Sequence, residues 1–229
     1  MNELLNLELS SVLLTLLAYQ AGVLLQKKTK SPVCNPILVG VVLVLLFMAL
    51  TGLENKTYQA ANVRLSWLMT PATIALAIPM YEQFQALKKN LKAILAGVAA
   101  GAVSCPVMLL VFGVLLNLDR TILISLLPKS VTTAIGVSLS EMFGGMGAVT
   151  TTVIIVTGIV ANMMGVTFCR LFRITHPVAK GVAFGTAGHV IGTAKANELS
   201  PLIGAVSSLS LVVAGLLTAI MMPVVVSML

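Results

Sequence analysis

The chain has 229 residues, 58% of them hydrophobic and only 9% charged, with a mean hydropathy of +1.05. Soluble domains carry about 25% charged residues, so a soluble globular domain is excluded and an integral membrane protein is indicated: an all-α polytopic bundle. The formal charge of +7 collects in short loops, where it reads as a topology signal on a lipid bilayer and not as a nucleic-acid surface.

Eight apolar segments are predicted, at roughly 5–25, 34–53, 64–84, 91–117, 122–140, 147–170, 178–196 and 201–227. Glu3 and Glu8 precede or open the first, with no Lys or Arg before it. A secretory signal would begin with positive charge, so this segment is expected to stay in the mature protein. The second opens on Asn35-Pro36, where Asn35 reads as a helix cap with proline at the first helical position, or as a further ligand of a site. Asn55-Lys56-Thr57 matches a glycosylation sequon, a pattern that short loops meet by chance. Tyr58, Trp67 and Tyr81 read as interfacial anchors.

The third segment carries Pro71 and Pro79. Together they are expected to isolate a short helical piece with Thr70 and Thr73 at its start, its positive dipole end open to an anion. The bland alternative is a kinked span whose threonine hydroxyls bond back to their own turn.

The fifth segment holds Lys129, with no other charge between Arg120 and Glu141. A cation at bilayer depth costs roughly 2.5–3.5 kcal/mol on insertion scales, so it is kept for a wet cavity, a partner carboxylate or a substrate. Pro128 precedes it, and Ser130, Thr132 and Thr133 follow. A helix broken there frees backbone groups beside a fixed charge, with hydroxyls as donors: a site for a small anion. The alternative is a snorkelling lysine paired with Asp119 or Glu141. Those acids lie at least ten residues away, about 15 Å along a helix, too far within one segment.

The seventh segment contains Gly181, Gly185, Gly188 and Gly192 around His189, with Gly185-Thr186-Ala187 nearly repeated as Gly192-Thr193-Ala194. His189 is read as an anion ligand or proton relay, with Thr186 and Thr193 as donors. The alternative is a glycine-packed helix crossing with His189 hydrogen-bonded inside it. Lys195 and Glu198, three apart, are expected to pair.

Lys27, Lys28 and Lys30 form one basic loop, Lys88, Lys89 and Lys92 a second, and Arg170, Arg173 and Lys180 a third. Keeping all three inside requires a non-crossing segment between Lys92 and Arg170, for which 122–140 is the candidate. Seven crossings follow, N-terminus outside and C-terminus inside. The broken segments near Ala75 and Gly188 then fall in oppositely oriented halves, about 30–117 and 122–229 of one transmembrane domain, the pattern of an inverted repeat. Cys34, Cys105 and Cys169 are scattered without metal-ligand spacing, and no nucleophile, paired carboxylate or cofactor motif is present. No enzyme, metal or cofactor is expected.

Asn35-Pro36-Ile-Leu, Pro71 to Tyr81, Leu127-Pro-Lys-Ser-Val-Thr-Thr133 and Gly185-Thr-Ala-Gly-His189-Val-Ile-Gly-Thr-Ala194 together resemble the LrgB/CidB family of bacterial membrane proteins over about residues 30–225. The family usually has proline where this chain has Ala134, and often serine where it has Gly188. The resemblance implies a multi-pass protein of the bacterial cell membrane. It implies either an antiholin-like subunit, acting with a small holin-like (LrgA/CidA-type) partner on murein hydrolase activity and autolysis, or a carrier. A plastid relative moves glycolate and glycerate, and bacterial relatives are linked to pyruvate uptake. The residues favour the carrier: a homo-oligomer moving a small carboxylate anion, with proton coupling through His189. For a regulatory subunit without a substrate, Lys129 is expected to pair with a partner's acid or with an internal carboxylate such as Glu82.

Overall fold

The computed structural model describes residues 2–29 and 34–229; Lys30 of the first basic loop lies outside them. Twelve α-helices and no strand occur among the described residues. They divide into two compact units, Met1–Ala75 and Leu76–Leu229.

In the first unit, α1 (Asn2–Thr29) packs on α2 (Pro36–Thr51), followed by the short α3 (Asn55–Ala61), α4 (Val63–Trp67) and α5 (Met69–Ala75). The Asn35 side chain accepts from the Ile37 and Leu38 amides at 2.9 and 3.4 Å, with Pro36 at the first helical position. The capping role expected of it is therefore present. Gly40 lets α1 approach: a Cβ there would lie 3.5 Å from the Tyr19 backbone. Tyr58, expected as an interfacial anchor, instead bonds inward to Thr15 Oγ1 at 2.6 Å, and Arg64 pairs with Glu8 at 3.2 Å. Trp67 is exposed.

The breaks in segment 64–84 correct one expectation. They fall at Leu68 and Leu76, not at the prolines, and α6 (Ala77–Glu82) begins the second unit. Pro71 and Pro79 are each the third residue of a short helix, among first-turn positions whose N–H groups have no intrahelical partner. Thr70 and Thr73 lie exposed on α5.

The second unit is built on three long helices: α7 (Phe84–Leu115), α10 (Gly147–Leu171) and α12 (Pro201–Ser227), each apolar and long enough to cross a bilayer. α7 and α12 run parallel. Leu87, Ile94 and Val98 of α7 share one core with Ala205, Val206 and Ala214 of α12, while Met222, Val225 and Val226 meet Leu109 and Leu110 at the far end. α10 runs the other way.

Between α7 and α10 the chain makes a hairpin that does not cross. α8 (Arg120–Leu126) enters from the far end, the chain turns at 127–132, and α9 (Thr133–Met142) returns. Its entry runs antiparallel to α7: Gly113 abuts Leu123, and Cys105 Sγ lies 3.9 Å from Ser130 Oγ. Its mouth is tied by hydroxyls, since Thr150 Oγ1 of α10 lies 2.9 Å from the Ser125 carbonyl and 2.7 Å from Ser140 Oγ. The broken, re-entrant reading of segment 122–140 is thus seen directly.

α11 (Pro177–Leu199) carries the break expected of segment 178–196, but as a second hairpin and not as one of the crossings. His189 has φ 42° and ψ −138°, and beyond it the helix doubles back. A Cβ on Gly192 would lie 2.6 Å from the Phe184 carbonyl eight residues earlier, a contact that a straight helix rising 1.5 Å per residue cannot make. Both arms lie on the start of α12. Gly181 and Gly185 face Val206 and Ser207, while Thr193 Oγ1 meets Ser207 Oγ at 2.8 Å and Asn197 abuts Gly204. The arrangement of seven crossings, with the C-terminus beside the third basic loop, is corrected accordingly: α12 starts at the end where α11 starts, and finishes at the other. Lys88, Lys89, Lys92, Arg170, Arg173, Lys180 and Lys195 all fall at that starting end. Asp119, Arg120 and Glu141 fall at the far end.

Candidate functional site

The first hairpin tip is shaped by Pro128. With no amide hydrogen to continue α8, the chain closes through two turn bonds, from the Lys129 amide to the Leu126 carbonyl (3.1 Å) and from the Val131 amide to the Pro128 carbonyl (3.3 Å). Val131 is buried. Gly136 gives the tip its room: a Cβ there would sit 3.2 Å from the Pro128 carbonyl and 2.5 Å from Ile154 Cδ1. Thr132 occupies the cap position of α9 without a side-chain cap bond, and Thr133 is its first residue, so the positive end of α9 points at the tip.

Lys129 is half-buried at this turn, its Nζ 3.4 Å from Ser130 Oγ. It has no acidic partner among the described residues. Asp119 caps α8 by accepting from the Thr121 amide at 3.1 Å. Glu82 ends α6 and Glu141 lies on α9, both exposed. Glu198 pairs with Lys195 at 2.6 Å, as its spacing predicts. Lys129 instead lines a cleft of about 270 Å³ between α10 and α11, with Thr157, Ala161, Ala183 and Ala187.

The second tip is set by His189, which is 3% exposed. Its Nε2 lies 2.8 Å from the Ile154 carbonyl; a carbonyl only accepts, so Nε2 donates and Nδ1 is left to accept in the neutral ring. The imidazole lies on Gly158, where a Cβ would come within 2.6 Å. Beyond the break, the Thr193 hydroxyl donates to the His189 carbonyl at 2.8 Å, and Asn162 Nδ2 donates to the Ile191 carbonyl at 2.9 Å. A non-glycine residue at this backbone conformation costs of order 1–3 kcal/mol and persists only where its surroundings fix it. Here the bonds from α10 and Thr193 fix it.

The two tips meet: Lys129 and Ala187 line one cleft, and Ser130 and Thr186 line a second, small cavity. Gly101 and Ala214, which line that cavity too, fall near the midpoints of α7 and α12, so the tips meet at mid-depth. Lys129, Ser130, Thr132, Thr133, Thr186, His189 and Thr193 are all on the two hairpins. Asn35, Thr70 and Thr73 belong to the first unit.

The glycine packing and the internal bond of His189 are both present: Gly181 and Gly185 pack against α12, Gly188 meets Ala161, and the ring bonds inside the bundle. Sequence reasoning missed Thr157, Gly158 and Asn162 of α10. Gly158 and Asn162 stand four apart, on one helix face, and an amide side chain in an apolar span was the available signal.

The chain matches the LrgB-like family over residues 15–228. It is 34% identical to the antiholin-like protein LrgB of Bacillus mycoides over 213 residues, 93% of each chain. It is 33% identical, over the same length and share, to antiholin-like LrgB proteins of Bacillus cereus and Bacillus anthracis. No solved structure matches it.

Proposed function

We propose that this chain, which belongs to the LrgB-like family, carries small monocarboxylate anions across the membrane. It is a multi-pass bacterial membrane protein. One observation carries the reading. Lys129 stands at mid-depth without an acidic partner among the described residues and lines a cleft of about 270 Å³. That volume lies near the lower end of ligand pockets, about 300 Å³, which suits a two- or three-carbon acid such as pyruvate or glycolate. An anion there supplies the counter-charge that the lysine lacks.

Each role follows from position. Lys129 holds the carboxylate, with Thr157 and the positive end of α9, at Thr132 and Thr133, as neighbouring donors. His189 keeps the second tip in place through Ile154 and offers Nδ1 for proton relay. Thr193 ties the second tip to α12 through Ser207, and Ser130 and Thr186 stand where the two tips meet. The two hairpins approach the anion from opposite ends of the bundle. Opening one and then the other gives alternating access. The basic end faces the cytoplasm under the positive-inside rule.

The relatives' name, antiholin-like, favours a second reading: a subunit that controls a holin-like partner and through it autolysis. Carboxylate and proton flux would connect the two, with lysis an indirect consequence of transport. Uptake of radiolabelled pyruvate or glycolate into proteoliposomes, with and without the holin-like partner, tests the carrier. Saturable uptake that Lys129→Met abolishes is expected. Purified protein inactive in both preparations would leave the regulatory subunit as the function.

A further inference from the structure

Thr186 Oγ1 is buried and has no hydrogen-bond partner. An orphaned buried hydroxyl is costly and calls for an explanation. Thr186 lines a cavity of about 20 Å³ at the junction of the two hairpin tips, whose other lining includes Ser130 and the α7 segment around Ala102 and Cys105. One water needs roughly 10–15 Å³ by this measure and two to four polar partners. The partners are at hand. Thr186 Oγ1 has no other use, and Ser130 Oγ lies 3.4 Å from Lys129 Nζ and 3.9 Å from Cys105 Sγ. Pro106, inside α7, has no amide hydrogen for the Ala102 carbonyl four residues before it.

We propose that this cavity holds a single bound water that joins Ser130 of the first tip to Thr186 of the second and to the freed Ala102 carbonyl. A metal cation suits the place poorly. Three oxygens are few for it, and the ammonium beside Ser130 repels it. The water completes a hydrogen-bonded path from Lys129 Nζ through Ser130 Oγ to the α11 tip. The inference stands on the meeting of the tips and does not need the chain to be a carrier.

Thermal unfolding of the purified full-length protein tests it. Thr186→Val keeps the volume and removes the hydroxyl, whereas Thr186→Ser keeps the hydroxyl. With the water present, the valine variant melts about 3 °C or more below the serine variant, in the range that loss of one or two hydrogen bonds gives for a chain of this size. With the cavity empty, valine removes an unpaired hydroxyl and melts at the same temperature or higher, which overturns the proposal. Ser130→Ala in the Thr186→Val background adds a second arm. Effects well short of additive are expected for two residues sharing one water, and full additivity contradicts the sharing. Neither result depends on uptake, so failure here and failure of transport are separable.

Discussion

The Ile154 carbonyl and the Nε2 of His189 meet at 2.8 Å, and Cδ1 of the same isoleucine fills the space that a Cβ on Gly136 would need. One residue of α10 therefore touches both hairpins, bonding the tip of one and packing under the other. α10 is the fixed strut between two elements that enter from opposite ends.

Gly158 is the seat of the imidazole. Gly158→Ala would place a methyl within 2.6 Å of the ring, and the ring cannot retreat without breaking its bond to Ile154. Overpacking of this kind costs about 1–3 kcal/mol. A lower melting temperature and reduced uptake are expected together. Wild-type values for both would mean that the ring is not held where the structure has it.

His189 carries two opposing contributions. Its bond to Ile154 stabilises the tip, and its φ of 42° with ψ −138° strains it. His189→Ala loses the bond and keeps the strain; His189→Gly loses the bond and relieves the strain. The glycine variant should be the more stable by about 1 kcal/mol or more, measured by thermal unfolding. Alanine equal to glycine would show that the backbone there is not in the strained region.

Much of this fold was legible. The long apolar runs located α7, α10 and α12, and the isolated lysine with its proline located the first tip. What escaped has physical reasons. Hydropathy reports depth in the bilayer, not helix extent, so the start of α7 at Phe84, ahead of Lys88, Lys89 and Lys92, was cut off. A 23-residue segment that crosses and one that goes halfway and returns have similar hydropathy; the difference at α11 lies in two dihedral angles of His189. The Ser125, Ser140 and Thr150 knot was unreadable because its members come from three helices and share no spacing.

Sidedness separates the hairpin topology from a crossing α11. Single cysteines at Lys89 and Lys180 should be labelled by an impermeant thiol reagent from the same face of the membrane, the cytoplasmic one. A cysteine at Ser227 should be labelled from the opposite face. If the Lys180 and Ser227 positions react from one side, α11 crosses and the second hairpin is wrong.

Cleft volume gives a further check. Ala187 lines the cleft and is exposed to it. Ala187→Phe should fill much of the space and reduce uptake at least tenfold, a barrier of about 1.4 kcal/mol, while leaving the melting temperature near that of wild type. Unchanged uptake would move the substrate path elsewhere.

The lysine itself gives the most direct test, through two readings of one variant. An unpaired ammonium at mid-depth costs roughly 2.5–3.5 kcal/mol unless an anion offsets it. Lys129→Met, compared with wild type in substrate-free buffer, should therefore raise the melting temperature while abolishing carboxylate uptake in proteoliposomes. A variant that still transports, or one that melts lower because a carboxylate has lost its partner, would contradict the account.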